Sequence, residues 1–387
     1  MANPKSIELI EKLISYDTTS RESNLELIAF VQEYLSDLNV ESTLIHNVEG
    51  TKANLYATLG DLDKPGVMLS GHTDVVPVDG QNWDTDPFKL SKIGSKYYGR
   101  GTSDMKSFIA IALAMVPEFQ ARGLQTPLHL ALSYDEEIGC IGVQRMIEMI
   151  NTLPIKPAMA IIGEPTSMQV IIGHKGKRSY RATVRGLEAH SSLTPSGVNA
   201  IEFAAEFIAH VKSIARRVAV DGPFDDLYDV SHTTLQTGTI QGGTALNIVP
   251  KECTFLFEIR YIDGDDPDTL EAEFRDYATQ TLEPQMQAIN PDTGFEIQCT
   301  NDMPSLDLGA DAEVVTFVKA LAGRNDHAKV AFGTEAGLFQ KRAGIPAVVC
   351  GPGDINQAHK PNEFIELSQI EECEAFMKRL MERVCVH

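Results

Sequence analysis

Apolar residues recur at three- and four-residue spacing over 7–14 and 25–38, which predicts two opening helices. Beyond them, apolar runs of strand length alternate with longer helical patterns. The runs cover 54–59, 66–70, 128–133, 158–162 and 347–350, and the helical patterns beside them cover 106–122, 142–151 and 312–322. Such alternation is the mark of an α/β domain. Most of these runs are largely apolar, as strands covered on both faces of a mainly parallel sheet require.

Between 179 and 300 the pattern changes to strand 180–185, helix 199–218, strand 233–240, strand 253–261, helix 268–281 and strand 295–300. The order β-α-β-β-α-β is the ferredoxin-like arrangement, and it closes on itself. Residues 179–300 are therefore expected to form an α+β domain inserted into an α/β domain made of 1–178 and 301–387. The basic turn GHKGKR at 173–178 and the breaker-rich NDMPSLDLGAD at 301–311 mark the joints. A length of 387 residues suits more than one domain.

Composition narrows the class of partner. With 54 Asp and Glu against 33 Lys and Arg, the net charge is −21, which opposes binding to nucleic acid and to anionic membranes. The longest apolar run, 108–116, is shorter than the roughly 20 residues that span a bilayer. Six scattered cysteines include no Cys-x-x-Cys pair, so they read as free thiols in a reducing compartment. The first 20 residues have no basic start followed by an apolar stretch. A soluble, cytoplasmic protein is expected.

Four of the expected strands end in a metal-ligand residue or its companion, where ligands gather in open α/β sheets. Strand 66–70 leads into His72 and Asp74, strand 128–133 into Glu136 and Glu137, strand 158–162 into Glu164, and strand 347–350 through GPGDINQA to His359. Asp104 precedes the helix at 106. Two histidines with three carboxylates suit a pair of borderline divalent ions, each taking one imidazole, one terminal carboxylate and a share of a bridging one. Such a pair can activate a water for attack on a carbonyl. Adjacent residues leaving a strand point in opposite directions, so one of Glu136 and Glu137 can ligate while the other accepts the proton. Asp74, two residues beyond His72, is placed to accept the imidazole's second N–H.

The motifs SGHTDVVPV, YYGRGTSDMKS, SYDEEIG, IIGEPT and AHKPNE resemble the successive signatures of the M20 metallopeptidase family over nearly the whole chain. The resemblance implies two zinc ions, with cobalt as a possible substitute. His72, Asp104 and Glu164 would hold one ion, and Asp104, Glu137 and His359 the other, with Asp104 bridging. It makes Glu136 the general base, Asp74 its companion, and the inserted domain a lid that also forms a homodimer. It gives His190 an oxyanion role, and Asn247 and Arg260 the substrate carboxylate; a planar guanidinium suits that task. Gly333 and Thr334 match a substrate-side loop, and Glu335 beside them is expected either to face a distal ammonium or to serve as a helix N-terminal acid stabilised by the dipole. Within the family, GTEAGLF and GPGDINQAHKPNE most resemble the branch that hydrolyses N-acetylornithine, a step of arginine biosynthesis. The branch acting on succinyl-diaminopimelate and general aminoacylases or dipeptidases are the alternatives. All six metal and base positions are filled, which weighs against a catalytically inactive binding protein of the same fold.

Overall fold

A computed structural model of the chain describes residues 2–386. They form two compact units. The first takes in the chain up to Gly173, Leu306–Lys329 and everything from Thr334 on; the second takes in His174–Ser305 and Val330–Gly333. The second unit starts at His174, ahead of the expected 179, because the strand Gly176–Arg185 pairs with Glu252–Tyr261 along its whole length. Much of the basic turn is thus already strand. At the other end the strand Gly294–Met303 stays paired as far as Met303, opposite Lys177.

In the first unit, four parallel strands lie side by side in the order Leu128–Ser133, Val67–His72, Met159–Pro165 and Ala347–Gly351. Every residue of the four is buried. Antiparallel strands extend the sheet, with Ala53–Leu59 and Ser42–His46 on one side and Ile171–His174 on the other. The helix Lys106–Arg122 is buried on all sides over its first eleven residues, which accounts for the longest apolar run without any membrane. No helix among the described residues is long and apolar enough to cross one. The helix comes so close to the sheet that a Cβ on Gly163 would lie 2.1 Å from the Phe108 ring.

The C-terminal helix Leu367–Val384 lies outside the elements expected above, although Ile370, Cys373, Phe376, Met377, Leu380 and Val384 recur at helical spacing and are buried. Flanking acids dilute its apolar signal. It closes the core together with Leu9 and Leu13 of Pro4–Ile14 and Val315 and Val318 of Glu313–Ala322.

In the second unit the antiparallel order is Thr234–Gly242, Glu252–Tyr261, Gly176–Arg185, Gly294–Met303, which is the ferredoxin-like order. Alternate residues, Tyr180 and Ala182 with Phe255, Phe257 and Ile259, face the helices Ala200–Asp221 and Pro267–Asp276. Phe207 and Phe274 complete an aromatic core. Helical structure expected to stop at 281 instead passes through a widened turn at Tyr277–Leu282 into Glu283–Gln287. The wider turn relieves the clash that Pro284, lacking an N–H, would otherwise force on a regular helix.

Candidate metal centre

The parallel register puts the carboxyl ends of neighbouring strands at one sheet edge. His72 is the last residue of Val67–His72, and Glu164 is the last residue but one of the strand Met159–Pro165. Asp104 enters from the loop before Lys106–Arg122, through a cis peptide to Met105. His359 lies on the loop after Ala347–Gly351, with a left-handed φ of 62°. Its side chain is half exposed, while the carboxylates around it are buried.

One carboxylate stands between the two imidazoles. Asp104 Oδ1 is 2.9 Å from His72 Nε2, and Asp104 Oδ2 is 3.3 Å from His359 Nε2. Glu164 Oε1 lies 3.7 Å from His72 Nε2, and Glu137 Oε2 lies 3.0 Å from His359 Nε2. Candidate ligand atoms of His72, Asp104 and Glu137 all fall within 4.8 Å of one another, as do those of His72, Glu136 and Glu164.

Two local expectations need correction. The His72 Nδ1 atom meets the backbone oxygen of Asp74 at 2.9 Å, while the Asp74 carboxylate is 3.6 Å away, beyond hydrogen-bond range. That carboxylate instead accepts the N–H groups of Glu136 and Glu137 and the hydroxyl of Ser20, so it clamps the acidic doublet. The doublet does not point two ways either. The strand ends at Ser133, and Asp135 has a φ of 55°, so strand alternation no longer applies. Both carboxylates reach the same centre. Asp135 turns away to pair with Lys52 at 2.5 Å.

The electrostatics suit cations. Burial pushes Glu136 up to about 8, helped by the neighbouring Glu137 and Glu335, and pushes Glu137 up to about 7, helped by Asp104. Burial and the charges of Asp104 and Glu136 hold Glu164 well above the usual carboxylate range. Burial also opposes charge on Asp104, but hydrogen bonds from His359 and His72 overcome it and hold that group low. His359 is raised to about 10 by its hydrogen bonds to Asp104 and Glu137. Glu164 Oε1 is buried without a hydrogen-bond partner among the described residues. A buried carboxylate oxygen with no donor, among like charges and two imidazoles, is the donor set that divalent ions fit.

The remaining site candidates fall in two places. In the second unit, His190 and Asn247 are brought together: Ser191 donates its N–H to the Asn247 carbonyl at 3.1 Å, and His190 bridges to Ile248. His190 is exposed, with Nδ1 2.8 Å from the Ser192 hydroxyl. Arg260 lies on the sheet face away from the helices and pairs with Glu258 at 3.3 Å. Gly333 is grouped with this unit, and a Cβ there would lie 1.8 Å from the Met303 methyl. In the first unit, Thr334 is buried and its hydroxyl accepts the N–H of Ala336. Glu335 is only 1% exposed, near Ser70 at 3.4 Å, and burial raises it to about 7.

Two further residues touch the centre without having been singled out. Cys140 donates its thiol to Glu136 Oε1 at 3.2 Å. Glu363 accepts the N–H of Asp104 at 3.1 Å. Glu363 stands inside the HKPNE motif, but only its place in the fold reveals the contact.

Residues 68–383 match Peptidase family M20/M25/M40. The chain belongs to this family. It is therefore a hydrolase, and its centre is that of a metallohydrolase. A relative from Proteus mirabilis, named acetylornithine deacetylase, is 34% identical over 99% of this chain and 97% of its own length. Among solved structures, the M20 metallo-carboxypeptidase Sso-CP2 from Sulfolobus solfataricus aligns with a TM-score of 0.75 at 18% identity, over 98% of this chain and 99% of that one. The dinuclear metal-binding M20 peptidase YXEP from Bacillus subtilis aligns with a TM-score of 0.66 at 14% identity, over 97% and 96%. The expected α/β fold with a ferredoxin-like insertion is thus the fold of this M20 family member.

Proposed function

We propose that this M20 hydrolase cleaves the amide of an N-acyl amino acid bearing a free α-carboxylate, with N-acetylornithine as substrate and acetate and ornithine as products. The observation that carries this reading is the Asp104 carboxylate, whose two oxygens face two different imidazoles, each with its own second carboxylate. The full-length similarity to a relative named acetylornithine deacetylase supports the choice of substrate. The same reading places the protein in the cytoplasm, in arginine biosynthesis, as a homodimer assembled through its second unit.

In this reading, His72, Asp104 and Glu164 hold one divalent ion and Asp104, Glu137 and His359 the other, zinc being the metal and cobalt a substitute. When bound, the ions supply Lewis acidity toward a carbonyl and a water. Glu136 takes the proton of the attacking water and delivers it to the amine nitrogen that leaves. Asp74 holds the Glu136 and Glu137 backbone in place through the two N–H groups it accepts. His190 donates toward the oxyanion, Arg260 and Asn247 take the substrate carboxylate, and Gly333 and Thr334 line its approach. For Arg260 this means exchanging Glu258 for the substrate. Glu335, next to that loop, faces the distal ammonium of the substrate.

The test is a panel assay of the metal-reconstituted protein against N-acetylornithine, N-acetylmethionine and succinyl-diaminopimelate. N-acetylornithine should give the highest kcat/KM, and its carboxamide should be a poor substrate. Faster cleavage of succinyl-diaminopimelate would overturn the substrate and keep the chemistry; no hydrolysis of any of them would overturn both.

A further inference from the structure

Glu363 and Arg100 form an ion pair in which each side chain is only 1% exposed, with Nη1 and Oε2 2.6 Å apart. A buried pair of this kind is weak evidence for stability, since desolvation cancels much of the attraction. Its contacts point to another use. Glu363 Oε2 also accepts the N–H of Gly101, and Oε1 accepts those of Ser103 and Asp104 at 2.8 and 3.1 Å. Every acceptor direction on this carboxylate is spent on one loop, the loop that presents Asp104.

The other half of the pair reaches the second loop. Arg100 Nη2 donates to Gln81 Oε1 at 2.7 Å, and Gln81 Nε2 donates to the backbone oxygen of His359 at 3.2 Å. Trp83, the only tryptophan in the sequence, donates to the same Gln81 oxygen and lies under the Arg100 guanidinium, 5.1 Å from ring centre to Cζ. Glu363 itself comes four residues after His359. The chain thus leaves the half-exposed His359 and returns, through a buried carboxylate, to the backbone of Asp104.

We infer that the Glu363–Arg100–Gln81 node is a positioning device that sets Asp104 and His359 at the spacing one metal ion requires, with Glu363 fixing the aspartate and Gln81 the histidine. The inference rests on the two-ion reading above. His359 needs such a device more than His72 does, because it stands on a loop and not at the end of a buried strand. Groups that orient ligands in this way typically change metal affinity by about 10- to 100-fold.

The experiment measures the two successive zinc affinities of the chelator-stripped full chain by competition with a chromophoric chelator, for the unmodified protein and for Glu363→Gln, Gln81→Ala, His359→Ala and the Gln81→Ala/His359→Ala double variant. Trp83 emission reports disturbance of the node, and circular dichroism reports retention of the fold. Glu363→Gln should weaken both ions by about 10-fold or more, because Asp104 serves both. Gln81→Ala should weaken one ion by about 10-fold and leave the other unchanged. In the His359→Ala background the same change should have no further effect, as expected of residues acting through each other. Should Glu363→Gln fail to fold, Gln81→Ala decides alone. Unchanged affinities, equal loss of both ions in Gln81→Ala, or a loss that persists without His359 overturns the positioning role. An unmodified chain that takes fewer than two ions overturns the two-ion reading and this inference with it.

Discussion

At the residue scale, the acidic doublet shows how neighbours acquire different work. Glu137 meets His359, whereas Glu136 receives the Cys140 thiol and, among the described residues, no imidazole within hydrogen-bond range. Glu136→Gln should therefore keep near-normal metal content while kcat falls by about 10²–10⁴, the usual worth of a positioned base. Asp104→Asn should lose metal, because each of its oxygens faces a different imidazole. Metal analysis beside turnover checks both, and equal metal loss in the two variants would end the division of roles. The types of these residues were legible in the sequence. Their directions were not, since the turn after Ser133 and the left-handed Asp135 break the alternation on which a sequence reading depends.

At the element scale, the ligands stand where they do because strands and helix approach closely. Gly163, just before Glu164, faces the Phe108 ring with no room for a methyl group. Gly163→Ala should destabilise the protein by about 1–3 kcal/mol through overpacking, read as a lower urea midpoint. A second test concerns His129, buried on Leu128–Ser133 opposite Thr58, with Nδ1 2.9 Å from the hydroxyls of Tyr56 and Thr58. Burial lowers it from 6.5 to about 4. The folded state thus resists a proton that the unfolded chain accepts, so its contribution is complete above 6.5 and is lost as the pH falls toward about 4. That loss is about 3 kcal/mol at most. His129→Gln should flatten the fall in urea-derived stability over this range, and an unchanged slope would remove His129 as its source.

At the scale of the whole molecule, the two units divide the proposed labour. The first carries every candidate metal ligand and the base; the second carries His190, Asn247 and Arg260. If His190 serves the oxyanion, His190→Ala should lower kcat by about 10²–10³ with little change in KM and in bound metal. Steady-state kinetics with metal analysis checks this, and an unchanged kcat would confine His190 to its own unit. The charge of −21 sets a background for the centre as well. Long-range attraction favours cations reaching the cluster, and salt should slow metal uptake more than it weakens final occupancy.

The sequence by itself determined the alternating first unit, the ferredoxin-like order of the second, and the set of ligand types at successive strand ends. Periodicity and the order of elements are local properties of a chain, and a parallel sheet then carries distant strand ends to one edge. Tertiary structure decided the rest. Asp74 turned its carboxylate to the doublet's N–H groups, not to His72, because a strand end and a turn meet there. Glu335 became a buried acid beside Ser70, since the residues that cover it come from strands far away in sequence. Glu363 acquired its place against Asp104 only because two loops separated by some 260 residues fold onto each other. No spacing along the chain records which backbone N–H groups a side chain will find.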